Sequence, residues 1–284
     1  MDRTSICLVV AALAATGCSG TPRVVVGSKN FTEQVILGEI LAQQIEAKLN
    51  LPVDRRLNLG GTLLAHEALK SGGIDLYPEY TGTALTAILK QPATTDPKAA
   101  LSTVRAGYRA AGLTWLDPLG FNNTFAMVIT SASPERTLTE AARRARPWRI
   151  GVGYEFVSRP DGLRGLTAAY GLRLDGAPVT MDLGLLYPAI EAGRIEMGAA
   201  SSTDGMLANP RFRMLEDDRS YFPPYQCAII VRDEALSRFP GLHAALSGLS
   251  GRISEQAMRN MNRAVDQDRR PVPEVARAFL AGLH

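Results

Sequence analysis

Short apolar runs alternate with longer amphipathic segments along most of the chain. The run Val24–Gly27 predicts a strand, and the recurrence of Ile36, Ile40 and Leu41 at helical spacing predicts the helix that follows it. Thr32 stands at the start of this helix, in a position to cap it. Strand and helix patterns keep alternating to the end of the sequence, which predicts an α/β fold with mixed, mostly parallel sheets.

The same pattern predicts where some elements end and which strands leave the first part of the fold. Pro78 follows the apolar run Ile74–Tyr77 and is expected to stop that strand, because proline cannot donate to a central ladder. The two longest apolar strands after the first third are Phe125–Ile129 and Gln226–Val231. We expect them to mark the crossings between two domains, which a chain of 284 residues has room to hold.

The first eighteen residues differ in character from the rest. Arg3 precedes the apolar run ICLVVAALAA, which is too short to span a bilayer as a permanent helix. The residues ATG then precede Cys18, and this resembles the lipoprotein cleavage box of bacteria, with Cys18 as the lipidated residue. An ordinary secretory signal and a short membrane anchor are the alternatives. All three place residues 19 onward outside the cytoplasm.

Charge and the reactive residue types exclude several functions. The net charge is +3 with no basic stripe, which argues against a nucleic-acid partner. Cys227 lies in the apolar run QCAIIV and is expected to be buried and structural. His66, expected on a helix near the surface, has no metal-ligand spacing with His243 or His284, so we expect neither a metal nor a cofactor. No nucleophile elbow, zinc-protease motif or P-loop is present, which argues against an enzyme, although paired carboxylates need no motif.

Polar and aromatic residues follow three successive strands in residues 26–83. The motifs there are GSKNFTEQ, GGT and LYPEYTGT, and they are expected at the carboxyl edge of a parallel sheet, where open α/β sheets bind ligands. Five more motifs follow: PLGFNNTFAM, EFVSRPDGLRGL, LLYPAIEAGRIEMG, SSTDG and YFPPY. Together these motifs resemble the extracytoplasmic substrate-binding proteins of ABC-type glycine betaine/choline importers.

The resemblance implies a type II periplasmic-binding-protein fold, with two lobes joined by two hinge strands. Residues 21–126 and 229–284 are expected to form the first lobe, and residues 127–228 the second. Such a protein captures a small quaternary-ammonium or other polar solute between its lobes and presents it to an ABC permease. A monomer anchored to the membrane by lipid at Cys18 is expected. The alternatives are a membrane-anchored sensory protein for another polar ligand and a two-lobed α/β enzyme.

A quaternary ammonium has no N–H, so aromatic faces must recognise it, at about 0.5–2 kcal/mol per ring. A ligand carboxylate instead needs hydrogen-bond donors. By resemblance, Tyr80 and Tyr225 match rings of an aromatic cage, and Thr83 matches a hydroxyl donor. Lys29 and Arg159 match positions that hold the carboxylate.

Three positions depart from the pattern of the family. Phe125 replaces a common tyrosine, Ser201 replaces an aromatic residue before STDG, and Asn123 stands where an acidic residue can occur. The loss of one ring and one carboxylate is expected to weaken the binding of a quaternary ammonium by roughly 1–4 kcal/mol. The sequence leaves two interpretations open: weak binding of betaine, or a different and larger ligand that fills the space beside Ser201.

Overall fold

The computed structural model describes residues 22–283, and within this range the chain forms two five-stranded sheets. The first sheet has the order β2-β1-β3-β10-β4 and contains β1 (Val24–Gly27), β2 (Val53–Arg56), β3 (Leu76–Tyr80), β4 (Leu113–Trp115) and β10 (Cys227–Arg232). The second has the order β7-β6-β8-β5-β9 and contains β5 (Phe125–Thr130), β6 (Ile150–Val152), β7 (Val179–Thr180), β8 (Met197–Ser201) and β9 (Phe212–Met214).

Both sheets are mixed. Strand β1 pairs in parallel with β2 and β3, whereas β10 runs antiparallel to β3 and β4. In the second sheet β6 pairs in parallel with β7 and β8, whereas β5 runs antiparallel to β8 and β9. The alternation of strands and helices thus predicted the α/β class, but half of the strand pairings are antiparallel because β5 and β10 each follow a crossing between the sheets.

Helices surround both sheets. Those before the first crossing are α1 (Thr32–Leu49), α2 (Thr62–Lys70), α3 (Thr81–Thr83), which continues into a π-helical turn (Ala84–Ile88), and α4 (Pro97–Arg109). Those between the crossings are α5 (Leu138–Arg143), α6 (Tyr154–Ser158), α7 (Leu163–Tyr170), α8 (Leu186–Glu191) and two 3₁₀ turns (Leu183–Leu185 and Gly205–Ala208). The last four are α9 (Asp233–Arg238), α10 (Leu242–Ser247), α11 (Glu255–Asp266) and α12 (Val272–Ala281). Among the described residues, no helix combines the length and apolar character needed to cross a membrane.

The chain passes between the sheets twice, just ahead of the two strands that the sequence indicated. Residues 116–124 lead from β4 to β5, and residues 215–226 lead from β9 to β10. The two segments pair at a bridge between Asn122 and Gln226. We call the first sheet with α1–α4 and α9–α12 the first lobe, and the second sheet with α5–α8 the second lobe. The precise lobe boundaries given above stay a prediction.

Three local predictions were wrong. Pro78 lies inside β3 rather than ending it. The pairing of β3 with β1 reaches only Leu76, so from Pro78 onward β3 pairs only with β10. A proline without an N–H is tolerated where a strand is paired on one side. Thr32 does not cap α1, because its hydroxyl donates instead to Asp266 Oδ1 at 2.6 Å. His66 is buried rather than near the surface, since its ring packs edge-on against Tyr108 with centroids 5.4 Å apart.

Candidate ligand-binding cleft

A cleft of about 1030 Å³ lies between the lobes, and residues from both sheets line it. The loop after β1, the end of β3 and the end of α3 contribute to the wall of the first lobe, while β8, α6 and the loop after α6 contribute to that of the second. The structure brings all eight predicted ligand-binding residues to this cleft: Lys29, Tyr80, Thr83, Asn123, Phe125, Arg159, Ser201 and Tyr225. Their contact with a ligand stays a prediction.

Glu33, in the first turn of α1, is a buried carboxylate that lines the cleft. Its Oε1 accepts from the hydroxyl of Tyr80 at 2.6 Å and from Asn123 Nδ2 at 2.6 Å. Its Oε2 accepts from the Thr203 hydroxyl and from Asn262 Nδ2 at 3.1 Å. Burial raises the pKa of Glu33, and these four hydrogen bonds offset part of that rise.

Lys29 also lies beside Tyr80, but unlike Glu33 it has a partner of opposite charge. Its Nζ lies 2.6 Å from Glu79 Oε1, and both side chains are almost completely buried. Tyr77 donates to the other oxygen of Glu79 at 3.0 Å. The Lys29 ammonium also lies 4.8 Å from the ring centroid of Tyr80. Lys29 is therefore neither a solvated loop lysine nor an unpaired cation.

Arg159 is likewise paired, in the second lobe. Its Nε donates to Asp161 Oδ1 at 2.9 Å, its Nη2 donates to Oδ2 at 2.5 Å, and its Nη1 donates to the Thr83 hydroxyl at 3.0 Å. Thr86 and Tyr225 also donate to Asp161. Burial alone raises the pKa of Asp161, but these hydrogen bonds and the guanidinium outweigh it, so the pKa lies below its usual value.

Aromatic rings gather around Phe125. The centroids of Phe156, Tyr225 and Phe222 lie 4.7, 5.5 and 5.8 Å from that of Phe125. The guanidinium of Arg159 lies 5.1 Å from Phe125 and 5.7 Å from Tyr225. Each ring predicted for the cage, Tyr80 included, thus already faces a cation of the protein on one side.

Ser201 is the register partner of Phe125 across the β5–β8 ladder. Directly opposed residues of an antiparallel pair project on the same face with Cβ atoms about 4.5–5.5 Å apart. Ser201 is half-buried and lines the cleft. Ser201 therefore lies beside the rings around Phe125, and its small side chain leaves space in the cleft wall where the family has an aromatic residue.

Asp204 is a second carboxylate at the cleft, and its side chain is half-buried. It caps the 3₁₀ turn by accepting from the Met206 N–H at 2.9 Å. Burial raises the pKa of Asp204 to about 6, with smaller increases from Asp266 and Glu33. Within residues 22–283, neither Asp204 nor Glu33 has a lysine, arginine or histidine nitrogen within 4.0 Å. Among the described residues, Glu33 is the only fully buried carboxylate that lines the cleft, and it has no cationic partner.

Direct contacts join the two lobes across the cleft. Thr203 of the second lobe donates to Glu33 of the first. Glu155 at the start of α6 accepts from the backbone N–H of Thr62 at 2.6 Å, at the first turn of α2. Gly61 makes this approach possible, since a Cβ there would lie 2.5 Å from Glu155 Oε1. The two lobes are therefore in direct contact across the cleft.

The sequence alone did not identify Glu33 as part of the site. An acidic residue in the first turn of a helix is ordinarily explained by the helix dipole. The signal was its place in GSKNFTEQ, four residues after Lys29 and at the same edge of the sheet. Cys227 is fully buried as predicted, and burial raises its pKa well above the usual value. No group of metal-ligating side chains occurs among the residues that the structure describes.

A ligand cleft between two α/β lobes joined by two crossings defines the class of two-lobed binding proteins. A family model described as the substrate binding domain of ABC-type glycine betaine transport system matches residues 22–282. The crystal structure of a glycine betaine/carnitine/choline ABC transporter superposes with a TM-score of 0.77 at 28% identity, covering 91% of this chain and 98% of that one.

Curated relatives agree with this assignment. The glycine-betaine-binding protein of Pseudomonas aeruginosa is 33% identical over 294 residues, which cover 99% of this chain and 94% of that protein. The ergothioneine transport permease/ergothioneine binding protein of Helicobacter pylori is 33% identical over 265 residues, or 91% of this chain. That match covers 47% of the Helicobacter protein, so the chain spans about half of its length.

The chain belongs to the family of substrate-binding domains of ABC-type glycine betaine transport systems. It is thus a substrate-binding component of the glycine betaine/carnitine class of ABC importers, with the two-lobed type II fold. Members of this family are transport binding proteins rather than enzymes, and they work outside the cytoplasm.

Proposed function

We propose that the cleft captures a quaternary-ammonium solute of the glycine betaine or carnitine type for delivery to an ABC permease. The observation that carries this proposal is Glu33, a buried carboxylate beside Tyr80 that lacks a cationic partner. Asp204, which is half-buried, adds a carboxylate without a cationic partner on the same cleft. A cationic ligand group would supply the missing charge, and the nearby aromatic rings would supply the dispersion and cation–π contacts that a methylated ammonium needs.

The hydrogen bonds of Glu33 suit a cation that has no N–H. A carboxylate offers about four lone-pair positions. Four neutral donors already occupy them: Tyr80, Asn123, Thr203 and Asn262. Glu33 therefore offers its negative charge but no free acceptor, and a quaternary ammonium requires just that combination. Because all four neighbours donate, the arrangement also suits the ionised form of Glu33.

The anionic end of the ligand would bind at Arg159. Guanidinium carries five N–H donors, and three are engaged by Asp161 and Thr83, which leaves two for a carboxylate. Asp161 neutralises Arg159, however, so the ligand carboxylate would gain hydrogen bonds more than net charge. Lys29 donates to Glu79 and Thr62, and the charge of Glu79 neutralises it, so in this proposal it braces the wall rather than binding the ligand.

Solute capture would couple to closure and delivery. The first lobe (residues 21–126 and 229–284) and the second (127–228) would close about the paired segments at Asn122 and Gln226 and bury the ligand between them. Cys18 lies outside the described residues; as a lipidated N-terminus it would hold the monomeric protein at the membrane beside its permease.

A larger betaine is a second candidate ligand. The cleft of about 1030 Å³ is large for a solute the size of glycine betaine, and Ser201 leaves the wall open beside Phe125. The Helicobacter relative binds ergothioneine, according to its name. An extended ligand of that kind would fill the space beside Ser201, where the family has an aromatic ring.

Calorimetric titration of the mature protein and of Glu33→Gln tests the proposal. Glutamine keeps the size of the side chain and removes its charge. At about 5 Å and an effective dielectric constant of about 20, one charge pair contributes about 3 kcal/mol, so we expect Glu33→Gln to weaken the binding of carnitine and glycine betaine by at least tenfold. Glu274→Gln, an exposed first-turn glutamate of α12, is the matched control. Equal affinity in the two variants, or no binding of either betaine, would refute the proposal.

A further inference from the structure

Two buried amide oxygens at the cleft have no hydrogen-bond partner among the described residues: Oδ1 of Asn123 and Oδ1 of Asn262. Both side chains line the cleft, and their residues are 9% and 4% exposed. Asn123 lies in the first crossing segment and Asn262 lies on α11. They approach Glu33 from different elements, and each leaves the same kind of atom unpaired.

The orientation of both amides is fixed by their surroundings. Asn123 Nδ2 donates to Glu33 Oε1 at 2.6 Å. Asn262 Nδ2 donates both to Glu33 Oε2 at 3.1 Å and to the backbone oxygen of Thr203 at 2.8 Å. A flipped amide would point an oxygen at a carboxylate, and for Asn262 at a carbonyl as well. The unpaired atoms are therefore acceptors.

Such acceptors select for a particular ligand chemistry. A buried acceptor that loses its hydrogen bond to water and gains no other destabilises the closed complex. Glycine betaine presents only methyl groups at its cationic end and carries no N–H or O–H donor, whereas carnitine and choline each carry a hydroxyl close to the ammonium. A ligand that carries an N–H or O–H near its ammonium would satisfy these acceptors when the cleft closes.

We infer that the ligand of this cleft is a betaine that carries at least one N–H or O–H donor, and that Asn123 and Asn262 select for it. This inference rests on the proposed function, which assigns the ammonium to Glu33. The charge of Glu33 attracts the quaternary ammonium, while the two amide oxygens accept from the donor attached to the same ligand. Asn123 differs from the acidic residue of the family pattern because its amide can accept from the ligand and also donate to Glu33, which a carboxylate could not do.

Three betaines test the inference with the mature protein. γ-Butyrobetaine carries no donor, carnitine is the same molecule with one added hydroxyl, and ergothioneine carries a ring N–H. We expect carnitine or ergothioneine to bind about tenfold more tightly than γ-butyrobetaine, the effect of one well-made hydrogen bond. We expect Asn123→Leu or Asn262→Leu to remove that preference; because either change also removes a donor to Glu33, the ratio of the two affinities is the readout. Asn260→Leu, on the exposed face of α11, should leave it intact.

The outcomes separate the inference from the proposed function. If γ-butyrobetaine binds as tightly as both donor-bearing betaines to the wild-type protein, the inference is wrong and the proposed function stands. If no betaine binds, the proposed function fails first. If the wild-type protein prefers the donor-bearing betaines and both asparagine variants keep that preference, another residue accepts from the ligand donor. The assignment to Asn123 and Asn262 is then wrong. The wild-type comparison needs no variant, so it decides even if one variant does not fold.

Discussion

The hydroxyl of Thr203, in the second lobe, donates to the carboxylate of Glu33, in the first lobe. This bond places the carboxylate that we assign to ligand binding directly on the contact between the lobes. A cation bound beside Glu33 therefore lies where closure is completed. Ligand binding and closure share one residue, and that relationship leads to the first prediction.

Replacing Thr203 with valine should weaken both closure and ligand binding. Valine keeps the shape of threonine and removes the hydroxyl that reaches Glu33. A hydrogen bond to a charged group contributes about 1.5–3 kcal/mol, so the Kd for carnitine should rise roughly ten- to hundredfold. Calorimetry gives the affinity, and small-angle scattering should show a larger mean radius of gyration at subsaturating ligand. Thr167→Val is the control, since this half-buried threonine donates its hydroxyl only to the backbone oxygen of Arg164 in its own helix. An unchanged Kd would show that the bond does not contribute to closure.

Adding a ring at Ser201 should complete the aromatic wall. Ser201 lies opposite Phe125 in the ladder, so a tyrosine there would project beside the ring cluster. We expect Ser201→Tyr to tighten the binding of glycine betaine by about 0.5–2 kcal/mol. Tyr80→Ala should weaken binding of the same ligand, because it removes both a ring and a donor to Glu33. Tight betaine binding by the wild-type protein that Ser201→Tyr abolishes would show that position 201 is not the open wall.

The affinity for a cationic ligand should depend on pH. Asp204 has a pKa raised to about 6, and its ionised form attracts a cation. As the pH falls through 6, Asp204 gains a proton and its charge is lost, so the Kd should rise; Glu33, whose pKa is also raised, adds to the loss at lower pH. Between pH 7.5 and pH 5 we expect a loss of up to about tenfold from Asp204. Titrations at the two pH values should differ less for Asp204→Asn than for the wild-type protein; an equal difference would assign the pH dependence elsewhere.

The N-terminus gives a prediction about location. The sequence ATGC after an apolar run indicates lipidation at Cys18, which lies outside the described residues. Cys18→Ala should release the protein from the membrane fraction or leave an uncleaved precursor, and mass spectrometry should detect the lipid only on the wild-type protein. A wild-type protein that never partitions with membranes would contradict the prediction. Cys227→Ala is the control, because this cysteine is buried in β10.

The sequence predicted the location of the site better than the hydrogen bonds and ion pairs within it. Residues after parallel strands meet at one edge of a sheet, so the positions of Lys29 and Tyr80 in one cleft followed from the strand pattern alone. The pairing of Lys29 with Glu79 did not, because the two residues are 50 positions apart and a buried ion pair has no sequence signature. Arg159 is the intermediate case: Asp161 is two residues away, and that partner was foreseeable.

The pattern of apolar and polar residues did not identify several short elements of the fold. Strands β4 and β7 contain three and two residues, too few for a period-2 pattern to show. Helix α6 is only five residues long and starts at Tyr154 in a Gly-flanked loop. Yet α6 carries Glu155, which bonds to Thr62 across the cleft. The interlobe contacts depend on tertiary packing, and so they became visible only in the structure.

A crystal structure of the mature protein with carnitine bound tests the central claim most directly. We predict that carnitine lies in the cleft between the lobes, with its trimethylammonium beside Glu33 and within about 6 Å of the ring centroid of Tyr80 or Phe125. Its carboxylate should contact Arg159, and its hydroxyl should donate to Asn123 or Asn262. Carnitine bound outside the cleft, or bound in the cleft with its carboxylate against Glu33, would contradict the account.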